Sequence, residues 1–452
     1  MKFKQYSFKE LLSNIVDNRG KTCPTAAQGL PLIATNCINN KSLYPVFEKV
    51  RYVNVETYKN WFRGHPKPED IIFVCKGSPG RVAWVKDPVD FCIAQDMVSI
   101  RADRTKIDPK YLFALLRSDN VQQKISNMHV GSLIPHFKKG DFGNLYLDIP
   151  EDLEYQKMVG EIYFNFSMKI EQNNKINQTL ESIAQAIFKS WFIDFDPVRA
   201  KIAAKQKGKD PERAAMCVIS GKSKAELKKM PEDDFAELQA TAALFPDELV
   251  ESELGEVPKG WELQQFKDIA KYTSNKISLN DLTLENYIST ENMLSEKKGI
   301  EKASSLPKVN SVPAFKKGNI LVSNIRPYFK KIWFSSSEGG HSNDVLNFEV
   351  LEEGCEEYLY NLIYQDSFFD QMMASSKGSK MPRGDKKAIM RFQVVIPPIT
   401  LRRLYSRKVE KFYLKKNVIE KENQILKIIR DTLLPKLLSG EINVSSLKDK
   451  VE

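Results

Sequence analysis

The sequence has 452 residues, 42% of them hydrophobic, and a formal net charge of +10, which favours an anionic partner. It is too long for a single hydrophobic core, and without a signal peptide or an apolar run of the roughly 20 residues that cross a bilayer it is expected to be cytoplasmic. Its six cysteines include no Cys-x-x-Cys pair, so neither a disulfide framework nor a metal site is expected.

The first module, residues 1–150, is predicted to be an α/β domain. It combines short β-like runs, such as Ile71 to Val74 and Val82 to Val85, with a helical stretch from Tyr111 to Ile125. The module ends at Ile149-Pro150, where proline disfavours a helical conformation in the residue before it.

A long helix is predicted within residues 151–195. Its apolar residues recur at alternating spacings of four and three, with two polar interruptions, and so form a seam along one side. The seam residues are Phe166, Ile176, Leu180, Ile183 and Ile187. Such a seam must pack on another helix.

Residues 196–258 are predicted to be a charged linker with two short helices, from Pro211 to Ser220 and from Ser223 to Ala243. Within it, Gly221-Lys222-Ser223 imitates the end of a phosphate-binding loop. However, Met216 stands where the first glycine of that loop should be, and no strand precedes it. A nucleotide site is therefore not predicted.

The second module, residues 259–398, is also predicted to be α/β, and it is followed by a second long helix in residues 399–445 and a tail of residues 446–452. Apolar residues in this helix again form a seam, with a sustained seven-residue repeat. The seam residues are Phe412, Ile419, Leu426, Ile429 and Leu433.

The two halves of the chain are repeats of each other. At one constant offset, Gly131-Ser132, Pro135 and Ile149-Pro150 recur as Gly378-Ser379, Pro382 and Ile396-Pro397, and Asp96-Met97-Val98 matches Asp344-Val345-Leu346 with a drift of one residue. The predicted architecture is therefore a tandem repeat of α/β (α+β) type. Because the two helices are also repeats of each other, we expect them to form an antiparallel coiled coil with pseudo-two-fold symmetry.

Basic and polar residues cluster at equivalent places in the two modules, just after the first β-like run and just before the last strand. Lysine and arginine neutralise phosphates, whereas arginine, asparagine and glutamine can also bond base edges. The candidate DNA-binding residues are Lys76, Ser78, Arg81, Ser132, His136, Lys138 and Lys139 in the first module, and Asn324, Arg326, Lys330, Lys331, Ser379, Lys380, Arg383 and Lys386 in the second. The duplication favours duplex DNA held at two sites.

The aromatic residues Phe137, Tyr328 and Phe329 lie in or near these clusters and are expected either to stack on DNA or to belong to the core. His136 and His341 occupy non-equivalent positions, and the sequence contains no complete catalytic constellation. A binding protein is favoured. The alternatives are a fused or cryptic methyltransferase or nuclease, and a coiled-coil adaptor that binds only protein.

Three segments carry a resemblance to a known family. Residues Asn177 to Val198 resemble the central conserved region of specificity (S) subunits of Type I restriction-modification systems, which are bacterial or archaeal. Leu433 to Ile442 is similar to the end of their distal conserved region, and Gly255 to Trp261 to the lead-in of their second target-recognition domain.

The resemblance implies a non-catalytic subunit whose two target-recognition domains each read one half of a split, asymmetric DNA sequence. The paired helices would fix the gap between the halves and dock two methyltransferase (M) subunits, as would the segment from Trp191 to Val198. S-adenosylmethionine, ATP and Mg²⁺ are expected in the M subunits and the restriction (R) subunits, with no cofactor in this chain. The holoenzyme would methylate adenine and cleave DNA in an ATP-dependent reaction.

Overall fold

The computed structural model describes residues 1–18, 20–128, 135–378 and 380–442. The chain forms two compact units. Unit 1 comprises Met1–Ile176 with Ile419–Glu452, and unit 2 comprises Asn177–Val418. Each of the two long helices therefore contributes one part to each unit. The tail predicted for residues 446–452 lies outside the described residues.

Unit 1 contains nine strands and four helices among its described residues up to Ile176. The strands are β1 (Phe3–Ser7), β2 (Leu12–Val16), β3 (Leu30–Ile33), β4 (Arg51–Val53), β5 (Ile71–Val74), β6 (Val82–Trp84), β7 (Cys92–Ile93), β8 (Met97–Ala102) and β9 (Tyr146–Pro150). The helices are α1 (Val55–Asn60), α2 (Pro109–Arg117), α3 (Asp119–Asn127) and the first part of α4 (Leu153–Phe192).

The main sheet of unit 1 has the order β2-β8-β5-β6 and is antiparallel, while β3 lies between β4 and β7 in a second sheet and pairs with β7 in parallel. β5 is buried on both faces. Because successive side chains of a strand point to opposite faces, Ile71 and Phe73 enter the core beneath α2, and Ile72 and Val74 enter a smaller core on the other side. The strand thus anchors the start of the following loop between two cores.

Unit 2 begins with the end of α4 and a helical insert. The insert contains α5 (Asp196–Gln206), α6 (Pro211–Ser220), α7 (Lys224–Leu227) and α8 (Glu232–Ala243). Ala215, Met216 and Ala242 are buried in a small core of their own. Met216 is therefore a packing residue of this small core.

The strands and helices of the second module follow the insert. The strands are β10 (Leu249–Ser252), β11 (Gly255–Pro258), β12 (Glu262–Gln265), β13 (Ala270–Tyr272), β14 (Lys276–Ser278), β15 (Tyr287–Ile288), β16 (Ser311–Phe315), β17 (Ile320–Ser323), β18 (Ile332–Phe334), β19 (Gly339–His341), β20 (Val345–Val350) and β21 (Gln393–Ile396). The helices are α9 (Glu356–Tyr364), α10 (Asp366–Ala374), α11 (Lys386–Ile389) and the first part of α12 (Ile399–Leu438).

The sheets of unit 2 repeat those of unit 1. The order β13-β20-β17-β18 corresponds to β2-β8-β5-β6, and β15 pairs with β19 in parallel as β3 pairs with β7. The repeat seen in the sequence is thus a repeat of strand topology, and it confirms the mixed α/β class.

The long helices α4 and α12 pack against each other in antiparallel orientation. In unit 1, Tyr155 Oη donates to the carbonyl of Leu437 at 2.7 Å, and Arg430 Nη1 donates to Ser167 Oγ at 3.3 Å. Residues further along α4 therefore contact residues that come earlier in α12, which means that the two helices run in opposite directions. In unit 2 the same sense continues, since Lys416 Nζ lies 2.9 Å from Glu181 Oε2 and Tyr405 Oη donates to the carbonyl of Ala184 at 3.0 Å.

The packed faces of these helices differ from the predicted seams. Of the seam residues, Ile419 is buried, Phe166, Leu180, Ile187, Phe412, Leu426 and Leu433 are half-buried, and Ile176, Ile183 and Ile429 are exposed. Buried positions include Ser167, Asn173, Asn423 and Arg430. The interface between the helices therefore contains polar side chains that form hydrogen bonds with one another. A search for apolar periodicity does not detect such positions.

A buried asparagine pair fixes the helix register in unit 1. Asn173 Nδ2 donates to Asn423 Oδ1 at 2.9 Å, and Asn423 Nδ2 donates to Asn174 Oδ1 at 3.0 Å. A polar group in a helix seam selects one register because a shift would leave it unpaired.

Replacing Asn173 by alanine should lower the free energy of unfolding by about 1–3 kcal/mol, because Asn423 Oδ1 loses its donor inside the seam. Urea unfolding measures the loss. Gln172→Ala, on the exposed side of the same helix, is the matched control, and Asn173→Leu with Asn423→Leu should recover part of the loss. Equal stability of the Asn173→Ala and Gln172→Ala variants would contradict a seam role.

The cysteines are free thiols, and the described residues contain neither a cluster of metal ligands nor a helix that could span a membrane. All six cysteines are free, and burial raises the pKa of Cys75 to about 12, so this thiol is protonated and inert at neutral pH. Within the described ranges no cluster of three or more potential metal ligands is found. None of the helices in those ranges has both the length and the apolar character of a transmembrane span.

Candidate nucleic-acid interface

In unit 1 the two predicted basic clusters form one surface. The loop that follows β5 lies against the segment that begins at Pro135. Phe137 N donates to the carbonyl of Cys75 at 2.8 Å, and Gly77 N donates to the carbonyl of Pro135 at 3.0 Å. Lys76 and His136 are consequently direct neighbours across a β-bridge. Lys76 and His136 are far apart in the sequence, and these backbone hydrogen bonds bring them together.

Unit 2 builds the same junction with different side chains. Arg326 N donates to the carbonyl of Pro382 at 2.8 Å, which is the counterpart of the bond between Gly77 and Pro135. Ile325 and Arg383 form the β-bridge that corresponds to the one between Lys76 and His136. The frame is therefore shared, whereas the side chains that it presents are not.

An aspartate at the start of a neighbouring strand is the third part of each surface. Cys75 N donates to the carbonyl of Asp96 and Asn324 N to that of Asp344, both at 2.8 Å. In unit 2 the carboxylate also lies 3.2 Å from Arg383 Nη2. In unit 1 Asp96 Oδ1 is 4.0 Å from Lys76 Nζ. Asp96 was matched to Asp344 as part of the sequence repeat, but neither aspartate was included among the candidate site residues.

Five of the predicted cations are available to an anionic ligand. Arg81, Lys138, Lys139, Lys380 and Lys386 are exposed, and no ion pair with any of them is found in the described part of the chain. Lysine and arginine in this state neutralise phosphates at low cost, because no existing ion pair has to be broken.

Two other predicted cations have internal partners. Lys330 Nζ lies 3.0 Å from Asp366 Oδ2, which helps to raise the pKa of Lys330. Lys331 Nζ donates to the carbonyl of Thr290 at 2.6 Å, and burial lowers the pKa of Lys331. These lysines stabilise the loop between β17 and β18, and their charge is only partly available to a ligand.

The predicted polar residues also divide by exposure. Asn324 is 7% exposed, too little for direct contact with a base, and its Oδ1 has no hydrogen-bond partner among the described residues. Ser78 and His136 are half-buried at the edge of the surface of unit 1. Ser132 and Ser379 lie outside the described residues.

The loop between β17 and β18 has a strained backbone. Arg326 and Lys330 have φ values of 50° and 49°, in the left-handed region that residues other than glycine avoid. Such a conformation costs on the order of 1–3 kcal/mol at each residue and is typical of functional sites. It flanks a short turn that leaves Tyr328 46% exposed beside the basic residues.

The aromatic residues near the clusters have different roles. Phe137 is fully buried and packs on Phe73 and Phe142, with ring centroids 5.8 and 5.3 Å apart. It anchors the segment after Pro135 to the core. Tyr328, by contrast, is exposed, and its ring centroid lies 4.6 Å from that of Phe329.

Comparison with known proteins supports a common origin for this arrangement. The model of the family "Type I restriction modification DNA specificity domain" matches residues 18–182. The chain is 31% identical over 440 residues to the Type I restriction enzyme HindI specificity subunit of Haemophilus influenzae, covering 90% of this chain and 92% of that protein. It is 24% identical to the MjaIX specificity subunit of Methanocaldococcus jannaschii, over 84% of this chain and 79% of that protein.

The fold is also shared with a solved structure. The S subunit of a Type I restriction-modification system from M. genitalium has a TM-score of 0.51 with this chain at 14% identity, and the alignment covers 97% of this chain and 96% of that one. The duplicated α/β units, the antiparallel helices and the extent of the match to the H. influenzae protein agree. This chain is therefore a member of the family of Type I restriction enzyme specificity subunits.

Proposed function

We propose that this chain is the DNA-recognition subunit of a Type I restriction-modification complex and that its two units read the two unlike halves of a split duplex target. The observation that carries the proposal is the junction that both units share. Gly77 and His136 in unit 1 correspond to Arg326 and Arg383 in unit 2. One frame with different side chains suits two readers of different sequences.

Phosphate contacts would position each unit on the duplex. Arg81, Lys138 and Lys139 supply them in unit 1, and Lys380 and Lys386 in unit 2, since these cations are exposed. Phosphate contacts fix register and orientation but carry no sequence information directly. Side chains at the junction would discriminate between bases through hydrogen bonds in the major groove.

The outer faces of the long helices would bind the other subunits of the complex. On α12, Ile425 and Ile428 are 57% and 66% exposed in unit 1, and Val418 is 60% exposed in unit 2. Exposed apolar residues of this kind mark protein interaction surfaces. Trp191 and Val198, which were expected to contact partner subunits, are instead buried in the core of unit 2.

In this role the chain supplies specificity, and two M subunits with S-adenosylmethionine supply methyl transfer, with R subunits adding ATP-dependent cleavage. Reconstitution of the complex from purified subunits tests this division of roles. The chain alone with DNA and S-adenosylmethionine should transfer no methyl group, whereas addition of its M subunits should give sequence-dependent methylation and salt-sensitive binding. Methyl transfer by the chain alone would show that it is an enzyme, and sequence-indifferent binding by the complex would contradict recognition.

A further inference from the structure

A polar cavity of about 410 Å³ lies in unit 2 at the carboxyl ends of the parallel strands β15 and β19. Hydrogen-bonding residues dominate its lining, including Ser289, Thr290, Glu291, Ser342 and Asp344. None of these was a predicted site residue.

The cavity adjoins the basic surface of unit 2 at two points. Asp344 lines the cavity and lies 3.2 Å from Arg383. Thr290 lines it too, and its carbonyl accepts a bond from Lys331 Nζ at 2.6 Å. A duplex held by the basic loops would therefore meet the mouth of the cavity.

Glu291 is the unusual residue at this mouth. It is exposed, and no ion pair or hydrogen bond of its carboxylate is found in the described ranges. A carboxylate repels phosphate, so on a DNA-facing surface it needs a donor as its partner. In the major groove the donors are the exocyclic amino groups, N4 of cytosine and N6 of adenine.

The backbone around Glu291 is rigidly held. Asn292 is 8% exposed, its Oδ1 accepts from Ser289 N at 2.6 Å, and its Nδ2 donates to the carbonyls of Tyr287 at 3.0 Å and Glu301 at 2.9 Å. One buried amide thus ties the end of β15 to the opposite wall. The backbone at Glu291 is thus ordered before binding, so mainly the side chain of Glu291 loses conformational freedom when it contacts a base.

Unit 1 has a different pair of residues at the equivalent places. The strand registers align Ile33 with Ile288 and Ile93 with His341. Asn36 and Gln95 therefore correspond to Glu291 and Asn343. At this equivalent position unit 1 has the amide of Asn36 and unit 2 has the carboxylate of Glu291. This difference is expected if the two units recognise different DNA sequences.

We propose that Glu291, together with Asn343 in the segment that follows the neighbouring strand β19, determines part of the specificity of unit 2 by accepting a hydrogen bond from an exocyclic amino group in its half of the target. This rests on the proposed DNA-recognition function. It assigns base reading to the ends of the parallel strands, in addition to the basic loops.

The test uses the complex of the full chain with its M subunits and maps methylated sites in a randomised DNA library. Glu291→Gln keeps the size of the side chain but adds a donor, so the preference at one position of one half-site should fall at least tenfold, with the other half-site unchanged. Asn343→Ala should relax the same half-site and serves if Glu291→Gln assembles poorly. Glu253→Gln, on an exposed turn of the same unit, is the matched control.

Unchanged preference in both variants, or a uniform loss of methylation without a change of preference, would overturn the proposal. These outcomes differ from failure of the proposed function. If the unaltered complex showed no sequence preference at all, the recognition role itself would be wrong. If the unaltered complex were specific and the variants equally so, only the role of Glu291 and Asn343 would fail.

Discussion

Replacing Arg81, Lys138 and Lys139 together by alanine is expected to weaken DNA binding by the assembled complex strongly and to change its salt dependence. Each phosphate contact adds about 0.9 to the slope of log K against log salt, so three lost contacts lower the slope by about 2.7. The deficit at 50 mM salt should therefore exceed that at 200 mM by about 40-fold. Binding titrations over this range measure both quantities.

The matched control removes the same charge from the helical insert. Lys207, Lys228 and Lys229 are exposed there, and their replacement by alanine should leave the slope unchanged. If both triple variants lowered the slope equally, the effect would reflect net charge, and the surface of unit 1 would not be the DNA contact.

The second large effect is expected at Trp191, which holds three parts of unit 2 together. It is 2% exposed, and its ring lies edge-on to Phe245 at 5.3 Å, to Tyr405 at 6.1 Å and to Phe192 at 6.0 Å. Trp191→Ala removes these contacts and leaves a cavity, at a cost of about 3–5 kcal/mol in the free energy of unfolding. Urea unfolding of the purified chain measures this loss.

Ile193 provides the control for Trp191, because it lies two residues away and is 43% exposed. Ile193→Ala should change the free energy of unfolding by less than about 0.5 kcal/mol. A loss of stability as large as that of Trp191→Ala would show that the segment acts through its backbone and not through the packed indole.

The architecture could be predicted from the sequence, because strands and long helices leave periodic hydrophobic patterns and these patterns occur in both halves of the chain. The β-like run from Ile71 to Val74 became β5, and the two helical patterns became helices of 40 residues each. The helix seam was predicted less well. Hydropathy assigns Ile183 and Ile429 to a seam, but the buried positions next to them are Ala184 and Arg430.

The candidate site was only partly predictable, for two physical reasons. The basic clusters were visible as composition, but whether a lysine is free or paired depends on long-range contacts such as that between Lys330 and Asp366. The cavity beside Glu291 depends on a parallel pairing of two residues in each strand, between β15 and β19, which is too short to leave a pattern in the sequence. Such contacts emerge only from the tertiary fold.

Two unlike recognition units on one chain are expected to read a divided target. Mapping the methylated adenines in DNA modified by the complex of this chain with its M subunits tests it most directly. Two different short sequences separated by a gap of constant length and indifferent composition are expected. A contiguous palindromic target would contradict it.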